Sequence, residues 1–80
     1  MTREPVALIS LDAILSEYPL HGQVQGWFFR QREISNGAWL VEGSDRWGRL
    51  LSRTGGDPES LLAKLVDEAE EINRAVSNAP

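Results

Sequence analysis

The last third of the chain repeats apolar residues with the period of an α-helix. They recur three and four positions apart: Leu61, Leu62, Leu65, Ala69, Ile72 and Val76. Asp57 suits the N-cap, and Pro58 suits the first helical position, where its missing N–H leaves no bond unmade. We therefore expect a helix over residues 58–76, with the final "SNAP" frayed.

Ahead of this helix, aromatic and β-branched residues predict three strands, over about residues 23–34, 38–43 and 46–53. Asn36-Gly37 stands between the first two strands and is typical of a type I′ hairpin turn, in which both central residues have positive φ. Because the connections are short, the strands should pair as an antiparallel meander.

That turn would pair Ile34 with Trp39 and so set the two faces of the hairpin. One face would carry Phe28, Arg30, Arg32, Ile34, Trp39 and Val41, and the other Trp27, Phe29, Gln31, Glu33, Leu40 and Glu42. In the third strand we expect Leu50 to face the long helix, and Trp47, Arg49 and Arg53 to face the open side. A bulge or a different turn would exchange some of these assignments.

The first twenty residues fit two structures. Leu11, Ile14 and Tyr18 have helical spacing, with Ser10 as a cap and Pro19 as a stop, whereas "VALIS" also suits a short edge strand. We favour a helix near residues 10–18. The expected fold is therefore an α+β domain of order α-β-β-β-α. It has two layers, a three-stranded antiparallel meander packed against a long C-terminal helix, with a short N-terminal helix.

Composition adds limits to this fold. The chain has 80 residues and no cysteine, which predicts one small domain over residues 1–80 without disulfides or thiolate metal sites. The apolar run after Arg3 and Glu4 is too short for a secretory leader, and no run approaches the ~20 apolar residues of a spanning helix. These features favour a small cytoplasmic protein of bacterial type, away from the membrane.

Charge is divided unevenly along the chain, whose net charge is −4. Residues 30–53 carry five arginines against three acids, while the segments on either side are acidic. An acidic protein is a poor nonspecific binder of phosphate, but a basic middle segment allows a local binding site.

Catalytic chemistry is hard to find in this sequence. The single histidine, His21, lies near neither a cysteine nor a marked serine, and Asp67-Glu68 with Glu70-Glu71 is typical of a solvated helix face. The Gly-Gly of "SRTGGDPES" lacks the lysine and spacing of a phosphate loop. We expect no enzyme, no cofactor and no metal, and keep a small enzyme that uses His21 as a third hypothesis.

The remaining candidate is a surface of arginines and tryptophans, residue types that are enriched at binding hot spots. The binding residues we predict on the sheet are Arg30, Arg32, Trp47, Arg49 and Arg53. A second candidate face is the acidic side of the long helix, with Asp67, Glu68 and Glu71. A plain solvated face is the competing interpretation of both.

The element order of residues 24–73, together with "GWFFRQR" and "GRLLSR", resembles two families. They are the plant ethylene-response type of DNA-binding domain and the arm-binding domains of phage integrases. The resemblance implies a three-stranded sheet that carries arginines and tryptophans to DNA, with a helix packed behind it. The acidic net charge, the acidic helix and the extra N-terminal segment depart from that pattern.

The sequence therefore predicts a small non-catalytic module that binds a protein partner, such as an inhibitor, an immunity-type protein or an accessory protein. The alternative is a sequence-specific DNA-binding domain that uses the same sheet. Net charge favours the protein partner, because a chain at −4 attracts nucleic acid weakly at long range.

Overall fold

One antiparallel sheet between two helices organises the part of the chain that the structure describes. The structure is a computed structural model, and it describes residues 8–77. Its elements are α1 (Leu11–Glu17), β1 (Leu20–His21), β2 (Trp27–Ser35), β3 (Ala38–Asp45), β4 (Leu50–Gly55) and α2 (Pro58–Ser77). The strands lie in the order β1-β2-β3-β4. The predicted α+β class, with a short first helix and a long last one, is confirmed.

The prediction of three strands is wrong, because a fourth strand precedes them. In β1, Leu20 pairs with Phe29 and His21 pairs with Phe28, so this strand extends the sheet beyond β2. Two residues are too few to show an alternating pattern, and the chain turns away at once through Gly22, whose φ is +93°.

Both helices begin where the capping residues predict. The Ser10 hydroxyl accepts a hydrogen bond from the Ala13 N–H at the start of α1. At the start of α2, the Asp57 carboxylate accepts from the Glu59 N–H and from the Ser60 hydroxyl. Residues 6 and 7 of "VALIS" and residues 78–80 of "SNAP" lie outside the described residues.

The main core lies between α2 and one face of the sheet, called here the α2 face. Its sheet side is formed by the buried side chains of Trp27, Phe29 and Val41. The apolar stripe of α2 supplies the other side with Leu61, Leu65 and Ala69, as its spacing predicted. Leu20, Trp39, Leu51, Leu62, Val66 and Ile72 pack around this core.

A bulge in β2 corrects the predicted register of the hairpin. Glu33, not Ile34, pairs with Trp39, while Ser35 pairs with Ala38 as expected, so Ile34 is the extra residue. Only Gly37 of the turn has positive φ, so the turn is not of type I′. The shift moves Trp39 and Val41 to the α2 face with Trp27 and Phe29, and moves Leu40 and Glu42 to the opposite face.

The predicted directions of two β4 side chains are also wrong. Leu50 pairs with Ser44, opposite Phe28, and therefore lies on the face away from α2, where it is largely exposed. Leu51 packs against the core instead, and Arg53 lies on the α2 face. The alternation along β4 is as expected, but Leu51 pairs with Gly43 beside Phe29, so the side with Leu51 and Arg53 faces α2 and the side with Leu50 faces away.

The face away from α2 is covered only at one end, by α1; it is called here the α1 face. Ile14 and Tyr18 of this helix pack with Phe28 in a second, smaller cluster. At this end, helices therefore cover both faces of the sheet. Over the rest of its length only α2 covers the sheet, which is the predicted two-layer arrangement.

A substitution at Gly43 tests the packing of the main core. A Cβ at this position would stand 2.7 Å from Cδ1 and Cε1 of the fully buried Phe29 ring. We expect Gly43→Ala to lower the free energy of unfolding by about 1–3 kcal/mol, measured by urea denaturation. Gly56→Ala is the matched control, because its Cβ would meet only a carbonyl at 3.7 Å. Equal stability of the two variants would contradict this packing.

Candidate functional site

The five arginines of the basic segment do not form one surface. Arg30 and Arg32 lie on the α1 face of β2, whereas Arg53 lies on the α2 face of β4. Arg46 and Arg49 belong to the turn between β3 and β4. The predicted third strand over residues 46–53 began too early, because β4 starts only at Leu50 and leaves Trp47 and Arg49 in the turn. The structure thus distributes the five arginines over three places.

Arg30 is held by contacts with Glu42 and Tyr18. Its Nε donates to Glu42 Oε1 at 2.9 Å, and its guanidinium lies 4.3 Å from the centre of the Tyr18 ring. The pKa of Arg30 is raised above its ordinary value, first by the hydrogen bond to Glu42 and then by nearby charges, against a lowering by burial. Arg30 is thus occupied by internal contacts that tie β2 to β3 and α1.

Arg53 is occupied in the same way. Its Nε and Nη2 both donate to Glu68 Oε1 on α2. This pair removes Glu68 from the predicted acidic face, which leaves Asp67 and Glu71 exposed to solvent. Lys64 and Arg74 lie three positions from Asp67 and Glu71 respectively, so the exposed side of α2 has mixed charge.

The turn between β3 and β4 is built around the buried carboxylate of Asp45. Its Oδ1 accepts from the backbone N–H groups of Trp47 and Arg49, each at 2.9 Å. Its Oδ2 accepts from Arg49 Nη1 at 3.2 Å, and Gly48 supplies a φ of +93°. Asp45 is only 4% exposed, so these bonds are shielded from water and hold the turn in one conformation.

The segment before α1 is fastened to the same turn. The Ile9 N–H donates to the Arg46 carbonyl at 2.9 Å, and Arg46 Nε donates to the Ile9 carbonyl at 2.7 Å. These two bonds position the neighbouring Leu8 next to the turn. The sequence offered no signal for this contact, because Ile9 and Arg46 are far apart along the chain.

Trp47 projects from this turn into solvent. Its side chain is 61% exposed, whereas Trp27 is buried and Trp39 is half-buried. Beside Trp47 lies an open cleft of about 440 Å³, bounded by the turn, Leu8 and the end of α2. We call it the Trp47 cleft, and its main lining residues are Leu8, Trp27, Arg46, Trp47, Arg49 and Val76.

Asn73 closes the inner wall of the Trp47 cleft. Its Oδ1 accepts from the indole Nε1 of Trp27 at 3.1 Å, and its Nδ2 donates to the Gln25 carbonyl at 3.0 Å. Asn73 follows Leu61, Leu65 and Ala69 in steps of four, so a polar residue in the apolar stripe was the available signal. Asn73 was not among the predicted site residues.

His21, the candidate catalytic residue, is not among the residues that line the Trp47 cleft. Within residues 8–77, no three His, Asp or Glu side chains are grouped to hold a metal ion. His21 is exposed on β1, and within the described range it forms no side-chain hydrogen bond. Neither α1 nor α2 has the length and apolar character needed to cross a membrane.

Comparison with protein-family models, with curated proteins and with solved structures gives no match for this chain.

Asp45 variants test how the turn is held. Asp45→Ala removes the acceptor of two backbone N–H groups and of Arg49, so we expect a loss of about 1–3 kcal/mol in the free energy of unfolding. Asp45→Asn keeps the Oδ1 acceptor and should lose less. Asp67→Ala, on the exposed side of α2, is the control and should stay within about 0.5 kcal/mol of wild type. The account of the turn fails if Asp45→Ala is as stable as Asp67→Ala.

A double-mutant cycle tests the Trp27–Asn73 bond. Asn73→Ala leaves the buried indole N–H without its acceptor, and we expect it to lower the free energy of unfolding by about 1–3 kcal/mol. In a Trp27→Phe background no indole N–H exists, so the same change should be less destabilising by at least about 0.5 kcal/mol. Chemical denaturation of the four proteins gives the coupling. Identical losses in both backgrounds would show that the bond contributes nothing.

Proposed function

We propose that this chain is a non-catalytic, regulatory type of module that binds a protein partner through the Trp47 cleft. The observation that carries the proposal is the exposure of Trp47 on a turn that Asp45 fixes from inside. Of the predicted sheet residues, Trp47 and Arg49 belong to this site. Arg30, Arg32 and Arg53 lie on other surfaces.

The energetics of Trp47 support binding. An aromatic side chain carries ~150–250 Å² of surface, and leaving 61% of it in water forgoes roughly 2–4 kcal/mol of burial. Asp45 holds the backbone of the turn in place, but the turn does not bury the Trp47 side chain in the isolated chain. A partner that covers it gains that energy with little loss of conformational freedom, as at interface hot spots.

The Trp47 cleft also has the composition of a protein–protein interface. Leu8 and Val76, which are 43% and 52% exposed, flank the same cleft and extend its apolar surface. Arg46 and Arg49 add polar groups at its edge. An aromatic and aliphatic centre with arginine at its rim is typical of protein–protein contacts.

The other surfaces support function less well. DNA binding through the sheet, the alternative, requires arginines that are free to neutralise phosphates. Arg30 and Arg53 lie on opposite faces of the sheet, each beside an acid, Glu42 or Glu68, so the sheet does not gather its arginines on one surface. The acidic side of α2 loses Glu68 to the ion pair with Arg53, and its exposed Asp67 and Glu71 each have a cation three positions away. An enzymatic function would rest on His21 alone.

Trp47→Ala tests the proposal. The tagged full chain is used to isolate candidate partners, and each candidate is then purified and titrated calorimetrically against wild type and variant. We expect a true partner to bind the variant at least about thirtyfold more weakly, because its hot-spot anchor is lost. Thermal stability should barely change, since Trp47 is not part of either core.

Ile34→Ala is the matched control, because Ile34 is 48% exposed near the end of β2, at the opposite end of the β2–β3 hairpin from Asp45. It should leave the affinity unchanged. The proposal is overturned if no purified protein binds the wild type, or if each one that binds has the same affinity for Trp47→Ala. Binding of duplex DNA that survives Trp47→Ala would favour the alternative.

A further inference from the structure

The charge of the Trp47 cleft is opposite to that of the whole chain. Its charged lining residues are Arg46, Arg49 and Asp45, which leave one net positive charge where the chain carries −4. Asp45 is buried, and both of its oxygens already accept hydrogen bonds from the turn. The part of the cleft that a partner meets is therefore cationic.

Both arginines keep hydrogen-bond donors to offer. Arg46 uses Nε for the Ile9 carbonyl, and Arg49 uses Nη1 for Asp45. The other guanidinium nitrogens of the two residues have no hydrogen-bond partner among residues 8–77. A guanidinium with two adjacent free donors matches the two oxygens of a carboxylate.

An apolar surface lies directly beside these donors. Trp47 stands between Arg46 and Arg49 in the chain, and Leu8 and Val76 continue its surface along the cleft. A ligand that satisfies the site must therefore present a carboxylate and a large apolar side chain close together. Phosphate groups alone would leave the apolar surface uncovered.

Building on the proposed function, we infer that the cleft recognises an acidic peptide segment of the partner, in which Asp or Glu lies next to a large aliphatic or aromatic residue. The carboxylate pairs with Arg49 and Arg46, and the apolar side chain packs on Trp47. Each arginine already makes one bond within the chain, and Arg49 is the more exposed of the two.

A displayed library of random short peptides, panned on the wild-type full chain, tests this inference. Trp47→Ala serves for counter-selection, so that only peptides dependent on the cleft are retained. We expect the retained sequences to combine an acidic and a large apolar residue. A synthetic retained peptide should bind about three- to tenfold more weakly when its acid is replaced by the amide, and similarly more weakly to Arg49→Gln.

Arg32→Gln is the matched control, because it removes the same charge from an exposed arginine on the α1 face. It should bind the peptide like wild type. Retained peptides without acidic residues, or an Arg49→Gln variant that binds like Arg32→Gln, would overturn the inference and leave the proposed function standing. If panning retains no peptide at all, the inference is also overturned, whereas the proposed function fails only if the purified partners do not distinguish wild type from Trp47→Ala.

Discussion

Trp27 and Phe29 are buried together on the face of the sheet that α2 covers, and most other features follow from this contact. Two aromatic rings two positions apart in β2 must share a face, and the largest apolar stripe available to cover them is that of α2. Gly43 lies opposite Phe29 and leaves room for its ring. With β2 fixed in this way, Val41 joins the core only in a register that makes Ile34 a bulge.

The same register determines where the proposed binding residues lie. It places Asp45 opposite Trp27, at the end of β3, where its carboxylate can organise the turn to β4. It also brings Arg53 against Glu68 and removes both from the available surface. The exposed position of Trp47 is therefore a consequence of core packing, transmitted through one strand and one buried carboxylate. Most arginines of the basic segment make contacts within the fold, and its turn is the part that carries the proposed binding site.

The sequence predicted the elements with strong periodicity or capping signals, above all α2, whose stripe and Asp57 cap both lie where expected. It could not predict register, because a single bulged residue exchanges the faces of a strand without altering its composition. It missed β1, which is too short to show alternation. For the site, it singled out Trp47 and Arg49 by residue type. The cleft beside them needs Leu8 and Asn73, which only the tertiary fold brings together.

The most direct measurement is the solvent exposure of the three indole N–H groups, followed by NMR in an isotope-labelled chain and assigned with Trp→Phe variants. We expect the Trp27 indole to exchange slowest, because it is buried and bonded to Asn73. The Trp47 indole should exchange fastest and be broadened most by a paramagnetic agent dissolved in the solvent. A Trp47 indole as well protected as that of Trp27 in the free monomeric chain would contradict the account.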